Sequence, residues 1–562
     1  MALIRFDNIG AVGIIKDLPD HELPPEAWSD GKNIRFHDGR VEKFTGHQNV
    51  YNLSASITTN IAIAPWWLLP VQSGTNYYWL YAGRQHVYAA APNAPNNKIT
   101  RVSGTVSLTS TDVLYSATAN IRWNGGMLAG IAVINNGIDA PQMWNPVGLS
   151  DRLKNLTYDS SAGTTWATAA VTARCLRPFK NFLVAMDVTK SGVRYPHMVK
   201  WSHPADPGAV PVSWNEADTT KDAGENDLAG SEGYVLDCLP LRDINIVYKE
   251  DATWGMQYIG GSFIFRFHQI FTTTGALSRD CAVEVLGRHI VLADGDVLQH
   301  DGQTAESIID KKWRKWLFAN IDSNYYENCF VARNYLKNEV WFCFPETGAV
   351  IPFPTKALVW NWKENSFTVR ELPQVAHIAA GLVQPNVTTR TWAGMVGTTW
   401  ATITGAWGQR GYNPTTDSLL MARPEPDSAT AAPVSKLLQP DQTEQFDGVN
   451  MTAYVERLGL GIGSMDRYKN PRVDMESMKF LRAVWPRIEA TTGTRIDIYG
   501  AAQAHPGAAV TYDGPHTFTV GEALKVDLRQ SGRLVGVKFE TNTNASWKLT
   551  GYDLDIDVVG RF

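Results

Sequence analysis

The sequence predicts an all-β protein: an irregular β-propeller with an additional small β-sandwich-like domain and few short helices. Short runs rich in β-branched and aromatic residues recur along the chain, bounded by Gly, Pro, Asn or Asp. Many of these runs group at intervals of about 45–60 residues, a spacing typical of propeller blades with four strands each. No WD or kelch signature accompanies the repeat, and we expect about five or six blades.

Two Asp-Gly pairs predict tight β-hairpins. Asp38-Gly39 and Asp294-Gly295 each lie between two runs in which apolar and polar residues alternate. Asp-Gly suits the two-residue type I′ turn, because both turn residues need a positive φ. We therefore expect a hairpin at each pair.

Further runs with the composition of strands lie in the middle and at the end of the chain. They are residues 76–81, 126–133, 182–186, 244–248, 262–267, 339–344, 357–362, 480–485, 495–499, 534–539 and 547–559. In the last run, apolar residues alternate with Asp553, Asp555 and Asp557, which predicts a strand with one buried face.

Residues 305–318 predict a short helix. Ile309, Trp313, Trp316 and Leu317 share one face at helical spacing, and basic residues near the C-terminal end suit the helix dipole. A basic and aromatic helix could contact nucleic acid. Packing of the two Trp side chains against a sheet edge is the interpretation we prefer.

These patterns divide the chain into four segments. Residues 1–60 form an N-terminal arm with a hairpin, and residues 61–420 form the propeller. Residues 421–450 are rich in Pro, Ala, Ser, Asp and Gln, which predicts a linker or a long excursion. Residues 451–562 form the C-terminal β-domain.

Composition argues for subunit contacts and against nucleic-acid binding. The chain has 562 residues, 44% of them hydrophobic and 19% charged, with 20 Trp, 20 Tyr and 20 Phe. Its net charge is −5, and no basic stripe of the kind that holds phosphates is visible. The N-terminus resembles no signal peptide and no apolar run reaches membrane-spanning length.

The five cysteines predict buried thiols. Their number is odd and no C-x-x-C pair occurs, which disfavours both a disulfide framework and a zinc site. The cysteines are Cys175, Cys238, Cys281, Cys329 and Cys343.

No motif in the sequence points to catalysis, so we expect no catalytic, cofactor-binding or metal-binding residue and no enzyme. Phosphate-loop, zinc-hydrolase and nucleophile-elbow patterns are absent. Gly459–Gly463 lacks the spacing of a dinucleotide-binding loop, and Asp294-Gly295-Asp296 lacks the further carboxylates of a calcium loop. No intact Asp-box of the sialidase type occurs, although a carboxylate pair for glycoside hydrolysis stays open.

The sequence of residues 23–46, LPPEAWSDGKNIRFHDGRVEKFTG, resembles the N-terminal signature of podovirus tail hub or nozzle proteins. That family shows the pattern L-P-P-x-x-x-S-D-x-x-N-x-R-F-x-D-G-x-V-x-K-x-x-G. Residues 308–370, 454–460 and 551–561 resemble the same family, so the resemblance touches both ends and the middle of the chain.

The resemblance implies a sixfold ring in a phage tail, below the portal and adaptor rings. The channel of this ring would carry DNA without specific binding, and its outer face would support fibres or spikes. The protein would be a virion component assembled in the host cytoplasm. The alternative is a tail-tip propeller that binds a receptor or a carbohydrate, and a hydrolase propeller is a further alternative.

Overall fold

The computed structural model describes residues 2–52, 65–73, 76–90, 97–100, 112–116, 122–145, 152–261, 263–383, 417–424, 436–465 and 471–561. Almost all regular structure in these residues is β-strand, which confirms the all-β prediction. The described residues contain one α-helix, Arg314–Asn320, and none of their helices is long and apolar enough to cross a membrane.

Seven sheets are each built around four antiparallel strands that are neighbours in space. Sheet 1 contains the strands Trp67–Ser73, Asn76–Ala82, Val87–Ala90 and Asn97–Lys98. Sheet 2 contains Asn124–Leu128, Ile131–Asn135, Gln142–Trp144 and Lys154–Asn155. Sheet 3 contains Val171–Phe179, Phe182–Lys190, Val193–Trp201 and Gly224–Asp227. Sheet 4 contains the strands Val235–Leu241, Ile244–Lys249, Thr253–Tyr258 and Phe265–Phe271. Sheet 5 contains Ala282–Val285, Arg288–Ala293, Asp296–His300 and Ala305–Ser307. Sheet 6 contains Phe330–Asn334, Glu339–Phe344, Lys356–Asn361 and Ser366–Glu371.

Sheet 7 joins distant parts of the chain. Its strands are His377–Gly381, Ser418–Arg423, Lys436–Pro440 and His47–Asn52, followed by the short pair Gln445–Phe446 and Val449–Asn450. The segment expected to be a linker, 421–450, thus contributes paired strands, because its apolar residues Leu437 and Leu438 are buried in this sheet. Residues 425–435 of that segment lie outside the described residues.

The first strands of these sheets contact one another in a cyclic order. Sheet 1 contacts sheet 2, each following sheet contacts the next, and sheet 7 contacts sheet 1. Seven sheets exceed the five or six repeats expected, because sheet 7 combines His47–Asn52 with strands from residues 377–450 and is not a contiguous repeat. No sheet of the described residues closes on itself. The propeller arrangement stays a prediction.

Two larger sheets contain the C-terminal strands and the N-terminal arm. Sheet 8 has the order Val526–Gly532, Ser477–Ala490, Trp547–Arg561, Arg40–Lys43 and Ile34–His37, with Ala2–Asp7 also paired to Trp547–Arg561. Sheet 9 has the order Asp30–Lys32, Ala453–Leu460, Leu534–Thr541, Arg495–Gln503 and Thr511–Thr519. Trp28, Phe539 and Tyr552 pack together between these sheets, within a core that continues into sheets 4 to 6. The N-terminal arm is therefore part of the C-terminal β-structure.

The remaining elements are short. Two-stranded pairs join Gly13–Ile14 with Ala27–Trp28, Thr157–Asp159 with Thr164–Thr165, and Ile462–Met465 with Pro471–Val473. Two 3-10 helices span Asp20–Glu22 and Tyr326–Asn328.

The helix begins later than the sequence predicted. Ala305–Ser307 is instead the fourth strand of sheet 5, because the Asp301 carboxylate accepts hydrogen bonds from the N–H groups of Gln303 and Thr304 and turns the chain back. On the predicted apolar face, Ile309, Trp313 and Leu317 are buried and Trp316 is half-buried. The Trp313 indole donates to the carbonyl of Ile14 at 2.7 Å.

Both Asp-Gly hairpins are present, with different turns. His37 pairs with Arg40, and φ is 50° at Asp38 and 72° at Gly39, as a type I′ turn requires. In the second hairpin only Gly295 has a positive φ, 72°. The run 126–133, expected as one strand, is itself a hairpin, because Ala129 and Gly130 both adopt a positive φ and reverse the chain.

Candidate functional site

Charged side chains gather on or just before the first strands of the sheets. We define the central cluster as Arg122, Arg177, Asp237, Asp280 and His377. Arg122 and Asp280 immediately precede the first strands of sheets 2 and 5, whereas Arg177, Asp237 and His377 lie on those of sheets 3, 4 and 7. The cluster therefore draws residues from five sheets to one place.

His377 connects the cluster to the remaining two sheets. The N–H of Leu68 in sheet 1 donates to His377 Nδ1 at 3.4 Å. The ring of Phe330 in sheet 6 lies 6.0 Å from the His377 ring, centroid to centroid. All seven sheets thus either contribute a residue to the central cluster or contact it through His377.

Arg177 makes the strongest contacts of the cluster. Its Nε and Nη2 atoms each lie 2.7 Å from one carboxylate oxygen of Asp237, a bidentate pair. Nη2 also lies 2.5 Å from Asp280 Oδ1. One guanidinium therefore links sheets 3, 4 and 5.

A second set of contacts uses backbone carbonyl groups. Arg122 Nη2 donates to the carbonyl of Arg279 at 3.1 Å and lies 3.6 Å from Asp280 Oδ2. Arg279 Nη1 donates to the carbonyl of Arg174 at 2.7 Å. These bonds tie the starts of sheets 2 and 5 to sheet 3.

The electrostatics fix the protonation of the cluster. Burial raises the pKa of Asp280, but Arg177, His377 and Arg122 outweigh burial and hold that pKa well below its ordinary value. Burial lowers the pKa of His377 to about 4. At neutral pH the carboxylate is therefore ionised and the imidazole neutral.

A thiol also touches the cluster. Cys175 Sγ donates to Asp237 Oδ1 at 3.3 Å, and burial together with Asp237 raises the pKa of this thiol well above its ordinary value. All five cysteines are free and buried, which confirms the prediction of buried thiols. A buried neutral thiol is a poor nucleophile.

These properties describe a structural lock. Arg177 pairs with both Asp237 and Asp280, and Arg122 lies 3.6 Å from Asp280. The ion pairs of the cluster cross-link the sheets from the inside.

The sequence analysis did not find this cluster, because its members are scattered from residue 122 to residue 377. A signal was nevertheless present. Arg177 and Asp237 are charged residues inside short, otherwise largely apolar strands, where an inward-facing charge must find a partner.

The two motifs considered as ligand sites serve the fold. Asp296 Oδ1 accepts hydrogen bonds from the Val297 N–H at 2.8 Å and the Ser307 hydroxyl at 2.7 Å, as in a hairpin turn. Gly459 lies against the backbone of Asp20, where a Cβ atom would come within 2.5 Å of its carbonyl carbon. The described residues contain no group of three or more His, Cys, Asp or Glu side chains that could hold a metal ion.

A cavity of about 200 Å³ opens beside the central cluster. Two exposed tyrosines, Tyr234 and Tyr326, line it together with charged side chains. Of these, Asp187 is bound by Arg194 through two hydrogen bonds of 2.7 and 2.6 Å. The cavity could hold a small polar ligand against an aromatic wall.

Comparison with known proteins gives only distant structural similarity. No protein-family model and no curated protein matches the chain. The AfRom2 CNH domain is similar at 7% identity over 71% of this chain and 99% of that chain, with a TM-score of 0.36. An exo-β-1,3-galactanase from Phanerochaete chrysosporium is similar at 6% identity over 92% of this chain and 100% of that chain, with a TM-score of 0.26. PorZ, a surface component of the type-IX secretion system of Porphyromonas gingivalis, is similar at 11% identity over 72% of this chain and 44% of that chain, with a TM-score of 0.32. Similarity at this level assigns neither an activity nor a partner to this chain.

Proposed function

We propose that this chain is a non-enzymatic structural subunit of the tail of a short-tailed phage. Six copies form a nozzle or hub ring that extends the DNA channel below the adaptor and supports fibres or spikes. In this proposal the seven sheets are the blades of a propeller. The cyclic contact of their first strands supports that arrangement, because each blade of a propeller packs against the next.

The observation that carries the proposal is how the chain uses residues 23–46, the segment that resembles the tail family. Asn33 Nδ2 donates to a carboxylate oxygen of Glu371 in sheet 6 at 2.9 Å, and the Ser29 hydroxyl donates to the Glu456 carbonyl in sheet 9 at 3.0 Å. Arg35 is ion-paired with the buried Glu339 of sheet 6. The resembling residues therefore hold the sheets together, and their similarity supports a shared architecture.

The central cluster bears on the route of the DNA. In the proposed propeller, the ion-paired side chains of the central cluster would stand in the way of DNA passing through the centre of a single chain. The channel must then lie between copies. A net charge of −5 suits such a channel, because an acidic wall lets DNA slide whereas a basic wall retains it.

Measurement of the native mass tests this proposal. We expect an assembly of six times the 62.2 kDa chain, either in solution or in tails released from particles. A chain that stays monomeric in both settings and binds glycans would contradict it.

A second candidate function rests on the cavity lined by Tyr234 and Tyr326. Aromatic side chains beside polar groups suit a carbohydrate, as in a receptor-binding propeller at a tail tip. Glycan binding that is lost in Tyr326→Ala, with unchanged thermal stability, would favour this function over the ring.

A further inference from the structure

The first and second hairpins of sheets 3 to 6 lie at opposite ends of these sheets. The first hairpins, which join the first strands to the second strands, lie together at one end. Two contacts show this: Tyr335 Oη donates to Glu284 at 3.4 Å across sheets 5 and 6, and Lys180 Nζ lies 5.6 Å from the Tyr258 ring centroid across sheets 3 and 4. The second hairpins, on the cluster side, form the other end.

Four consecutive first hairpins each carry a cation. We define the basic end by Lys180, Arg242, Arg288 and Lys337. Within the described residues none of these four side chains takes part in an ion pair. Glu284, which also lies near this end, is neutralised by Arg333 at 2.9 Å.

Apolar side chains stand exposed between these cations. Phe263 is 78% exposed, Leu286 75% and Leu336 51%. A partner bound through its phosphate groups would leave these apolar side chains exposed to water, whereas a bound protein surface would cover them. Aromatic side chains together with arginine are typical of protein–protein contacts. The composition therefore favours a protein partner with carboxylates.

The opposite end has the complementary charge. We define the acidic end by Glu232, Glu250, Asp251, Asp294 and Glu327, none of which is ion-paired within the described residues. Burial together with Glu327 and Glu250 raises the pKa of the exposed Tyr326, so these groups lie close together.

The acidic end keeps this negative charge and also exposes apolar surface. Three cations there have partners: Arg174 and Arg194 pair with Asp187, and Arg314 lies 3.7 Å from Asp296. Val193 and Tyr234 are exposed at this end.

We propose that the basic end of one copy docks on the acidic end of the next copy. This inference rests on the proposed ring and names the surfaces that form it. The two ends differ and are complementary, so the contact is heterologous, the type that closes into a ring when the rotation allows. Opposite charges fix the orientation, and the exposed apolar side chains supply the buried area.

Charge reversal tests the two ends separately. The first variant combines Arg242→Glu, Arg288→Glu and Lys337→Glu, and the second combines Asp251→Lys, Asp294→Lys and Glu327→Lys. We expect each variant alone to self-associate at least about a hundredfold more weakly than the wild type, because like charges would face each other. An equimolar mixture should regain association, since each reversed end then meets a complementary end. Sedimentation velocity at low salt over a range of concentrations measures both effects.

A matched control carries Arg495→Glu, Lys525→Glu and Arg529→Glu, three exposed positions on sheets 8 and 9. It should associate like the wild type. Variants that still form wild-type assemblies would overturn the docking of these ends and leave the ring itself in place. A wild type that stays monomeric at its highest soluble concentration, with no association in the mixture, would also overturn the docking. A ring seen in tails would then preserve the proposed function through other surfaces.

Discussion

Asp280 is the residue on which the central cluster depends most. It faces Arg177 and Arg122, and its side chain is only 16% exposed. Asp280→Asn keeps the shape but removes the charge, which leaves two arginines with less compensation. We expect a loss of about 3–5 kcal/mol in the free energy of unfolding, because breaking a buried ion pair leaves a charge without its partner.

Urea denaturation compares this variant with Asp301→Asn, whose carboxylate caps an exposed turn. The control should change stability much less. Equal effects of the two substitutions would show that the central cluster does not hold the sheets together.

A buried triad should make stability depend on pH. The Tyr248 hydroxyl lies 2.7 Å from both His289 Nδ1 and His300 Nε2, and His289 Nε2 lies 3.0 Å from the carbonyl of Pro240. His289 Nε2 therefore carries the hydrogen and Nδ1 accepts from the tyrosine. His300 then donates through Nε2, so its Nδ1 is left buried and without a partner in the described structure. A proton added there would have no acceptor.

Burial lowers the pKa of both histidines to about 4, against about 6.5 in the unfolded chain. Between these values the unfolded state binds more protons, so their contribution to stability is present above pH 6.5 and is lost as the pH falls to 4. We expect the melting temperature to fall across this window. His300→Gln should flatten the slope and His505→Gln, at an exposed position, should not. Parallel slopes for all three proteins would exclude the triad as the cause.

At the scale of elements, the loop that contains the 3-10 helix Asp20–Glu22 packs directly on the strand Ala453–Leu460. Arg457 donates to the carbonyls of Asp20 at 2.8 Å and Leu23 at 2.9 Å. Gly459 lies below this loop with φ of 70° and no room for a side chain. The close approach of two backbones explains why this position needs glycine.

Gly459→Ala and Gly493→Ala separate close packing from backbone strain. Gly493 has φ of 88° but nothing within 4 Å of an added Cβ. Gly493→Ala should cost about 1–2 kcal/mol in the free energy of unfolding, the price of a left-handed residue with a Cβ. Gly459→Ala should cost clearly more, because a backbone must also move. Chemical denaturation measures both losses of stability. Equal losses would mean that the loop moves away from the added Cβ at no cost in the free energy of unfolding.

The sequence predicted elements best where local chemistry decides them. The Asp38-Gly39 hairpin follows from its turn residues, and the long strand Trp547–Arg561 follows from its alternation. At Ala305–Ser307 the sequence pattern predicts helix, but the structure forms a strand. The strand pairs with Leu298–His300, and this tertiary contact outweighs the local helical pattern. The central cluster could not be predicted, because its ion pairs join residues that only the sheet order brings together.

At the scale of the whole molecule, the N-terminal 52 residues add strands to sheets whose other strands lie in the C-terminal half of the chain. His47–Asn52 pairs with Lys436–Pro440 in sheet 7, and Ala2–Asp7 pairs with Trp547–Arg561 in sheet 8. A boundary drawn along the sequence at residue 60 or 420 therefore crosses these sheets. Pairings this distant in sequence leave no periodic signal, and the composition of residues 421–450 alone predicts a linker.

The central claim is that copies of this chain form a structural ring in a phage tail. Projection images of particles that carry a label on this protein test that claim most directly. We predict six labels arranged as a ring on the tail axis, between the adaptor and the fibres. A label confined to the tail tip, or particles that contain no copy of the protein, would contradict the claim.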